Sequence, residues 1–309
     1  MKNHISLFIF AIALLSGPVS ANDLSMTAVK DTLASIPGEH NYIYVRTPLG
    51  EDEEKNYDEI TFYDGLGREL DFAQSYGADR AGAIMAHHHL IEYDSLGRKE
   101  KQWLSTNTSF SYMSPEDLKG GVLWDYHDAG KRSYLQTNYE SSPLNRITEQ
   151  YGVGDAWGDH PARMEYLTNI PADSLRCSFY FIDDNDSLIR RGDYRSGELQ
   201  VTKATDEDGK PTYTFVDKQG RTLLTRLGRG NQQADTYFVF DRFGRIRYVL
   251  PPMINDEISA GNLDLYAYQY LYDSFGRCIS KKLPGCAAIG YVYDKADRVI
   301  LSQNGNQSQ

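Results

Sequence analysis

The apolar and polar positions of this chain alternate mostly with the period of two residues that is typical of β-strands. No long segment repeats at 3.6 residues, and only two short helices are predicted. One lies near Leu24 to Ala34, and the other follows Ser114 as N-cap with Pro115 in its first turn. The clearest predicted strand carries a ladder of four tyrosines on one face: Tyr266, Tyr268, Tyr270 and Tyr272. The pattern therefore predicts a mainly β fold of antiparallel hairpins.

A short motif recurs six times between such strands. Each copy has an apolar or aromatic residue, Asp, two variable residues, a turn-forming residue and Arg. In four copies Tyr directly precedes the Asp. A recurring unit of this kind indicates a repeat array in which each unit buries its apolar face against its neighbours. The six Asp and turn-former pairs are Asp64 and Gly67, Asp94 and Gly97, Asp217 and Gly220, Asp241 and Gly244, Asp273 and Gly276, and Asp294 and Asp297.

The spacing of the motif predicts a tight hairpin turn. Asp at the first position of a type I turn accepts hydrogen bonds from nearby backbone amides, and Gly at the fourth position takes a left-handed conformation. Asp297 replaces Gly in the sixth copy, which Asp tolerates better than most residues. Because these residues recur at every turn, we interpret them as structural rather than catalytic, and no enzyme motif or cofactor site is predicted.

Further segments strengthen one resemblance. Residues 139–146 (YESSPLNR), followed by residues 149–152 and Trp157, and residues 282–286 (KLPGC) accompany the six turns. Together these segments cover most of residues 40–303, and they resemble the Rhs or YD-repeat family, including the uncharacterised domain that precedes the repeats in large surface or secreted members. The resemblance implies a cocoon-like β-sheet shell that encloses a toxic C-terminal domain until delivery.

The N-terminus predicts export. Lys2, the apolar run from Ile5 to Leu15 and the small residues ending at Ala21 form a signal-peptide pattern, too short to be a transmembrane anchor. We expect a signal peptide at residues 1–21, an N-terminal domain at 22–170 and a truncated YD-repeat sheet without an effector at 171–309. The protein would act in the periplasm, on the outer surface or outside the cell.

Two functions follow from these expectations. The first is a non-enzymatic wall segment, whose partner is the remainder of the shell or the polypeptide that it encloses. The alternative is an adhesin-like module that binds surface carbohydrate, since exposed aromatic rings suit wet interfaces. Its platform would be the four tyrosines at 266, 268, 270 and 272 together with Trp157. A net charge of −11 argues against nucleic acid as a partner.

Three other features have ordinary structural explanations. His87 and His89 share a strand face and could hold a metal only with a third ligand, which the sequence does not supply. The acidic segments 183–187 and 206–209 lack the pattern of a complete calcium loop and are predicted turns. Of three cysteines, Cys278 and Cys286 flank one hairpin but are not expected to face each other, and Cys177 is predicted to be a buried thiol.

Overall fold

The structure is a computed structural model that describes residues 33–34, 36, 38, 40–48, 56–78, 84–127, 130–229, 232–254 and 256–307. The fold is mainly β and almost entirely antiparallel, so the predicted fold class is confirmed. The chain divides into two compact units, Met1–Pro161 and Ala162–Gln309. The sequence pattern predicts this division at Ile170, but strand β9 (Ala162–Thr168) pairs with a strand of the second unit and lies within that unit.

The first unit is a meander of hairpins with one helix, α1, spanning Pro115–Asp125. Strands β1 to β4 pair in sequence order, and β4 continues to β6 along one part of its length and to β5, β7 and β8 along another. The strands are β1 Asn41–Pro48, β2 Asn56–Tyr63, β3 Glu69–Ala78, β4 Ile84–Tyr93, β5 Lys99–Trp103, β6 Thr106–Ser109, β7 Tyr134–Tyr139 and β8 Ile147–Tyr151.

Helix α1 begins where the sequence predicts it. The Ser114 side chain accepts a hydrogen bond from the Asp117 backbone N–H, and Pro115 occupies the first turn, where its missing N–H costs nothing. Leu118 and Val122 are buried on one face of the helix. The core of this unit forms from alternate strand residues, Ile60, Phe62, Ala73, Ile84 and Ala86, joined by Ile36 and Phe110 from outside the strands.

The second unit is a longer meander. Strand β9 pairs with β12, and β12 to β20 then pair each with the next, while β10 and β11 form a separate hairpin. Helix α2, Ala260–Tyr266, precedes β17. The strands are β10 Ser178–Ile182, β11 Leu188–Asp193, β12 Gln200–Thr205, β13 Pro211–Val216, β14 Thr222–Arg229, β15 Gln232–Phe240, β16 Ile246–Leu250, β17 Tyr268–Tyr272, β18 Cys278–Lys282, β19 Ile289–Tyr293 and β20 Val299–Gln303.

Burial in the second unit is uneven along the meander. The β10–β11 hairpin covers the face of β12 to β16, and residues such as Tyr180, Phe215, Leu224 and Val239 form the core there. The last buried residue is Ala267, and no residue of β17 to β20 is buried within the part of the chain that the structure describes. Strands β17 to β20 therefore carry the same hairpins as the rest of the meander, but no segment among the described residues buries them.

Four short 3-10 helices complete the described elements: Asp155–Trp157, Asp173–Leu175, Pro252–Ile254 and Gly305–Gln307. The described helices are all too short to cross a lipid bilayer. The predicted signal peptide at residues 1–21 lies outside the described residues, as does nearly all of the helix predicted near Leu24 to Ala34.

The predicted tyrosine strand needs one correction. Tyr266 ends helix α2 and packs against the core, so it does not share a strand face with Tyr268, Tyr270 and Tyr272. The helix forms because the Ser259 side chain caps it by accepting a hydrogen bond from the Asn262 N–H. Tyr266 lies two residues before Tyr268 and so continues the alternation in sequence, but it belongs to the helix, and the strand begins only at Tyr268.

Candidate functional site

The six motif turns share one hydrogen-bond pattern centred on the Asp carboxylate. In the turn of Asp241, the backbone N–H groups of Phe243 and Arg245 both donate to Oδ1, each at 2.9 Å. The Asp241 N–H donates to the Arg245 carbonyl at 2.9 Å, and the Gly244 N–H donates to the Asp241 carbonyl at 3.0 Å. The same four bonds form at Asp64, Asp94, Asp217, Asp273 and Asp294.

The fourth position of each turn has a left-handed backbone. The five glycines there, Gly67, Gly97, Gly220, Gly244 and Gly276, have φ between 78° and 85°. Asp297, which takes the place of Gly in the sixth turn, has φ of 59°. The sixth copy is therefore the same turn as the others.

The Arg that ends each motif binds the carboxylate that begins it. Arg245 Nε donates to Asp241 Oδ2 at 2.7 Å, and the corresponding bond is 2.7 or 2.8 Å in the other five turns. Burial by itself would raise the pKa of Asp241, but hydrogen bonds from the Arg245 backbone and guanidinium outweigh it and lower the pKa. The pKa of Asp64 is also lowered, first by the hydrogen bond from the Arg68 backbone N–H.

Five of these six arginines also contact the aromatic residue that precedes a following turn. The guanidinium carbon of Arg68 lies 4.6 Å from the centre of the Tyr93 ring, within the range of a cation–π contact. We call this series the Arg-aromatic ladder, and it runs in two stretches, one in each unit. Its pairs are Arg68 with Tyr93, Arg98 with Tyr139, Arg221 with Phe240, Arg245 with Tyr272 and Arg277 with Tyr293.

The tyrosine hydroxyls add a second link between successive turns. Each hydroxyl donates to the carbonyl of the residue that follows the preceding turn's Arg, as Tyr272 does to Ile246 at 2.9 Å. The other three such bonds are Tyr93 to Glu69, Tyr139 to Lys99 and Tyr293 to Cys278, at 2.8 to 3.0 Å. Tyr93, Tyr272 and Tyr293, which precede a motif Asp, and Tyr139, which precedes Glu140, thus have a physical role that the turn alone does not explain. Phe240 contacts Arg221 in the same way but has no hydroxyl to donate.

A third link is a hydrogen bond from the guanidinium to the next turn's backbone. Arg245 Nη1 donates to the Asp273 carbonyl at 3.2 Å, and Arg277 Nη1 donates to the Asp294 carbonyl at 3.3 Å. Arg277 also forms an ion pair with the Asp297 carboxylate at 2.8 Å. One arginine therefore connects its own carboxylate, the next aromatic ring and the next turn's backbone.

The segment 139–146 is a further rung of the ladder, which sequence analysis did not recognise as a turn. Glu140 replaces Asp, and Arg146 binds its two carboxylate oxygens at 2.7 Å each. Asn145 occupies the left-handed position with φ of 55°. The Arg146 side chain, and then the Ser142 hydroxyl, lower the pKa of Glu140 to about 2. The signal was present in the sequence: an acidic residue after Tyr and an Arg after a turn-former, separated by two extra residues.

The two acidic segments considered for calcium are turns of the same form. Asp183 Oδ1 accepts from the Asn185 and Ser187 backbone N–H groups, and Asp206 Oδ1 accepts from the Lys210 N–H. Asp186 then binds Arg247 of β16 through both carboxylate oxygens, at 2.6 and 3.0 Å. These carboxylates hold turns in place and join the β10–β11 hairpin to the meander.

The histidine run in β4 is divided between the two faces of the strand. His87 and His89 lie on the partly exposed face, and burial lowers the pKa of His89. Among the described residues, no group of three or more His, Cys, Asp or Glu side chains could hold a metal ion. His88, which sequence analysis passed over, is buried: Nδ1 lies 2.6 Å from Asp71 Oδ2, and Nε2 lies 2.9 Å from the Ser109 carbonyl oxygen.

The remaining candidate residues are dispersed. All three cysteines are free thiols, and burial raises the pKa of Cys177 to about 12. Tyr268 is 37% exposed, whereas Tyr272 is engaged in the ladder. Trp157 is 46% exposed and belongs to the first unit. The five aromatic residues proposed as a sugar platform are thus in different surroundings.

Residues 41–168 match a family model described as "Domain of unknown function (DUF6443)". The fold resembles part of the crystal structures of TcdB2-TccC3-Cdc42 (TM-score 0.54, 15% identity, 86% of this chain and 12% of that chain) and TcdB2-TccC3 (0.54, 13%, 94% and 14%). It also resembles part of the Photorhabdus luminescens Tc holotoxin pore, with a TM-score of 0.54, 13% identity and coverage of 86% and 12%. No curated protein sequence matches significantly.

These likenesses concern the fold, because the identities are low. The chain spans only about an eighth of the length of the proteins that it resembles. It nevertheless has the β-rich hairpin architecture that the Rhs resemblance implies.

Proposed function

We propose that this chain is a non-enzymatic, exported structural protein that forms a wall segment of a β-shell of the Rhs or YD-repeat kind. The observation that carries the proposal is the Arg-aromatic ladder, in which each hairpin is fastened to the following one by the same side chains. Because the same contact joins each hairpin to the next, further hairpins can be added to the sheet in the same way, as a large wall requires.

The use made of the acidic residues supports a structural role. Each motif Asp accepts bonds from its own turn and its own Arg, so its carboxylate is fully engaged. The motif turns of the second unit lie at the same end of the strands, because they join every second pair of consecutive strands: β13–β14, β15–β16, β17–β18 and β19–β20. Carboxylates that are arranged in a row and each bound to an arginine are suited to stabilising a repeat.

The solved relatives support the nature of the assembly. Two of them are structures of TcdB2-TccC3, and a third is that of a Tc holotoxin pore. The chain would serve as part of such a shell, with the remainder of the wall or an enclosed polypeptide as partner. Strands β17 to β20, with no buried residue among those described, supply the uncovered surface against which such a partner would pack.

Carbohydrate binding is the second candidate, and the exposure of Tyr268 favours it. Its ring is on the same strand face as Tyr270, outside the ladder contacts of Tyr272. Amphipathic rings of this kind can stack on sugars at wet surfaces. Tyr268→Ala would then abolish retention on a glycan array while leaving thermal stability nearly unchanged.

The test of the wall proposal is isolation of the native assembly. The chain would be tagged in its own host, recovered under native conditions from the periplasm and the medium, and imaged by electron cryomicroscopy. We expect a β-sheet shell that protects an enclosed polypeptide from trypsin, and Arg245→Ala with Arg277→Ala should remove that protection. Recovery as a lone chain that binds glycans through Tyr268 would instead support the alternative.

A further inference from the structure

Among the described residues, the rung of the ladder at Arg298 is incomplete. Arg298 binds its own carboxylate as the other arginines do, with Nε 2.8 Å from Asp294 Oδ2. Its side chain is nevertheless 79% exposed, whereas those of the other five motif arginines are 15 to 34% exposed. The difference arises because each of the five lies against the aromatic residue of a following turn, and no ring lies over Arg298 among the residues that the structure describes.

The strand that follows Arg298 is exposed along its whole length. All five residues of β20 are exposed, and Val299, Ile300 and Leu301 are 53, 63 and 59% accessible. In the described chain, β20 pairs with β19 on one side only. An uncovered edge strand with three consecutive apolar residues is a template for pairing with another strand, and natural sheets usually protect such edges with charges, bulges or a covering segment.

We infer that the free edge of β20 is the docking site for one further β-hairpin of the YD type, recognised by Arg298. This inference rests on the proposed wall function and names the surface at which the wall continues. The occupant is fixed by continuity with the ladder: a strand antiparallel to β20 that ends in Tyr-Asp would place its ring over Arg298. Its hydroxyl would donate to the Val299 carbonyl, and the Arg298 guanidinium would donate to the incoming Asp carbonyl.

Each of these three contacts has a counterpart in the chain. Arg277 contacts the Tyr293 ring at 5.0 Å and the Asp294 carbonyl at 3.3 Å, and the Tyr293 hydroxyl donates to the Cys278 carbonyl at 2.8 Å. Cys278 follows Arg277 as Val299 follows Arg298. The edge of β20 would therefore select a hairpin through the Arg298 side chain as well as through backbone pairing, unlike an exposed edge strand that pairs without sequence preference.

The test uses a hairpin from the same chain as probe. A synthetic peptide of residues 268–282, with Cys278→Ser and its ends joined by a disulfide between added cysteines, would be titrated calorimetrically into the purified protein. We expect saturable binding with one site. Arg298→Ala should weaken binding at least about fivefold, and a peptide carrying Tyr272→Phe should bind several-fold more weakly. Arg298→Lys, which keeps the charge but not the planar guanidinium, should bind with intermediate affinity.

Controls separate the ladder from charge and folding. Arg191→Ala removes one exposed charge from β11 and should bind the peptide within about twofold of wild type. Because Arg298 is exposed, its variants should keep the wild-type circular dichroism spectrum. Absence of saturable binding, or equal binding by Arg298→Ala, would overturn the inference, as would a stable wild-type dimer that excludes the peptide. A β-shell isolated from the host despite such a result would show that the wall function stands and that the wall continues elsewhere.

Discussion

The guanidinium carbon of Arg245 lies 4.8 Å from the centre of the Tyr272 ring, and the Tyr272 hydroxyl donates back to the Ile246 carbonyl, next in the chain to Arg245. The two residues therefore form a reciprocal contact between successive turns. This reciprocity gives a role to Tyr93, Tyr272 and Tyr293, three of the four tyrosines that stand before a motif Asp, which a single hairpin turn does not require.

Arg245→Ala should destabilise the protein by about 1–3 kcal/mol, because it leaves the partly buried Asp241 without its ion pair and removes the contact with Tyr272. Arg245→Lys should recover only part of this loss. The control is Arg242→Ala in the same turn, which removes a contact with Phe243 only and should change stability by less than about 0.5 kcal/mol. Urea unfolding measures all three, and equal effects of the two alanine variants would contradict the ladder.

A matched pair of substitutions isolates the tyrosine hydroxyl. Tyr272→Phe should cost about 1 kcal/mol by removing the bond to the Ile246 carbonyl. Phe240→Tyr should have the opposite sign and stabilise by about 0.5–1 kcal/mol, because the new hydroxyl can donate to the Thr222 carbonyl, which follows Arg221. Thermal unfolding of both variants gives the signs. A destabilised Phe240→Tyr would mean that the ring contact with Arg221 differs from the other rungs.

Asp297→Gly should change stability by less than about 0.5 kcal/mol. Glycine relieves the left-handed backbone at φ of 59°, which offsets the loss of the exposed ion pair with Arg277 and the added freedom of the unfolded chain. Asp297→Val should instead destabilise by at least about 1 kcal/mol, because a β-branched residue resists positive φ. Chemical denaturation compares the two. A large loss of stability in Asp297→Gly would show that the charge of Asp297, rather than its backbone conformation, is what the position requires.

Glu140 should make the stability of the protein depend on pH between the ordinary pKa of a glutamate and the lowered pKa that Glu140 has in the folded state. Its pKa is lowered from 4.5 to about 2, first by the Arg146 side chain, so its stabilising contribution is full above about pH 4.5 and is lost as the pH falls toward 2. The difference in melting temperature between wild type and Glu140→Gln should therefore shrink across this window. Arg146→Ala should lose the same pH dependence. A difference that stays constant from pH 5 to pH 2 would show that Glu140 is not held as a carboxylate.

The turns were predictable from sequence because their determinants are local. Asp and Gly at fixed spacing specify the hydrogen bonds and the positive φ within five consecutive residues, so the hairpins at Asp241 and Asp273 follow directly. The contact between Arg245 and Tyr272 was not predictable in this way, because it joins residues of different hairpins and depends on sheet register. Recurrence of Tyr before Asp was visible, but only the register gives it a partner.

Two misjudged segments have equally specific causes. Residues near Tyr266 alternate as a strand does, yet the Ser259 cap and packing of the helix against the core favour a helix there. The boundary near Ile170 was misplaced because β9 pairs with β12, a partner distant in sequence that no local pattern reveals. At Tyr266 a local cap and core packing together outweigh the strand-like alternation, and at β9 a tertiary contact sets the boundary.

The ladder has a direction: five of the six motif guanidinium groups are held by their own turn and also contact an aromatic residue that comes later in the chain. During synthesis on a ribosome, every hairpin would therefore emerge with its arginine already oriented and would need only the next segment to complete its contacts. The contacts between successive hairpins would therefore form in order, from the N-terminus toward the C-terminus. A chain interrupted after any motif turn would leave the arginine of that turn without its aromatic partner. Only a segment of the same repeat type would complete the contacts of that arginine.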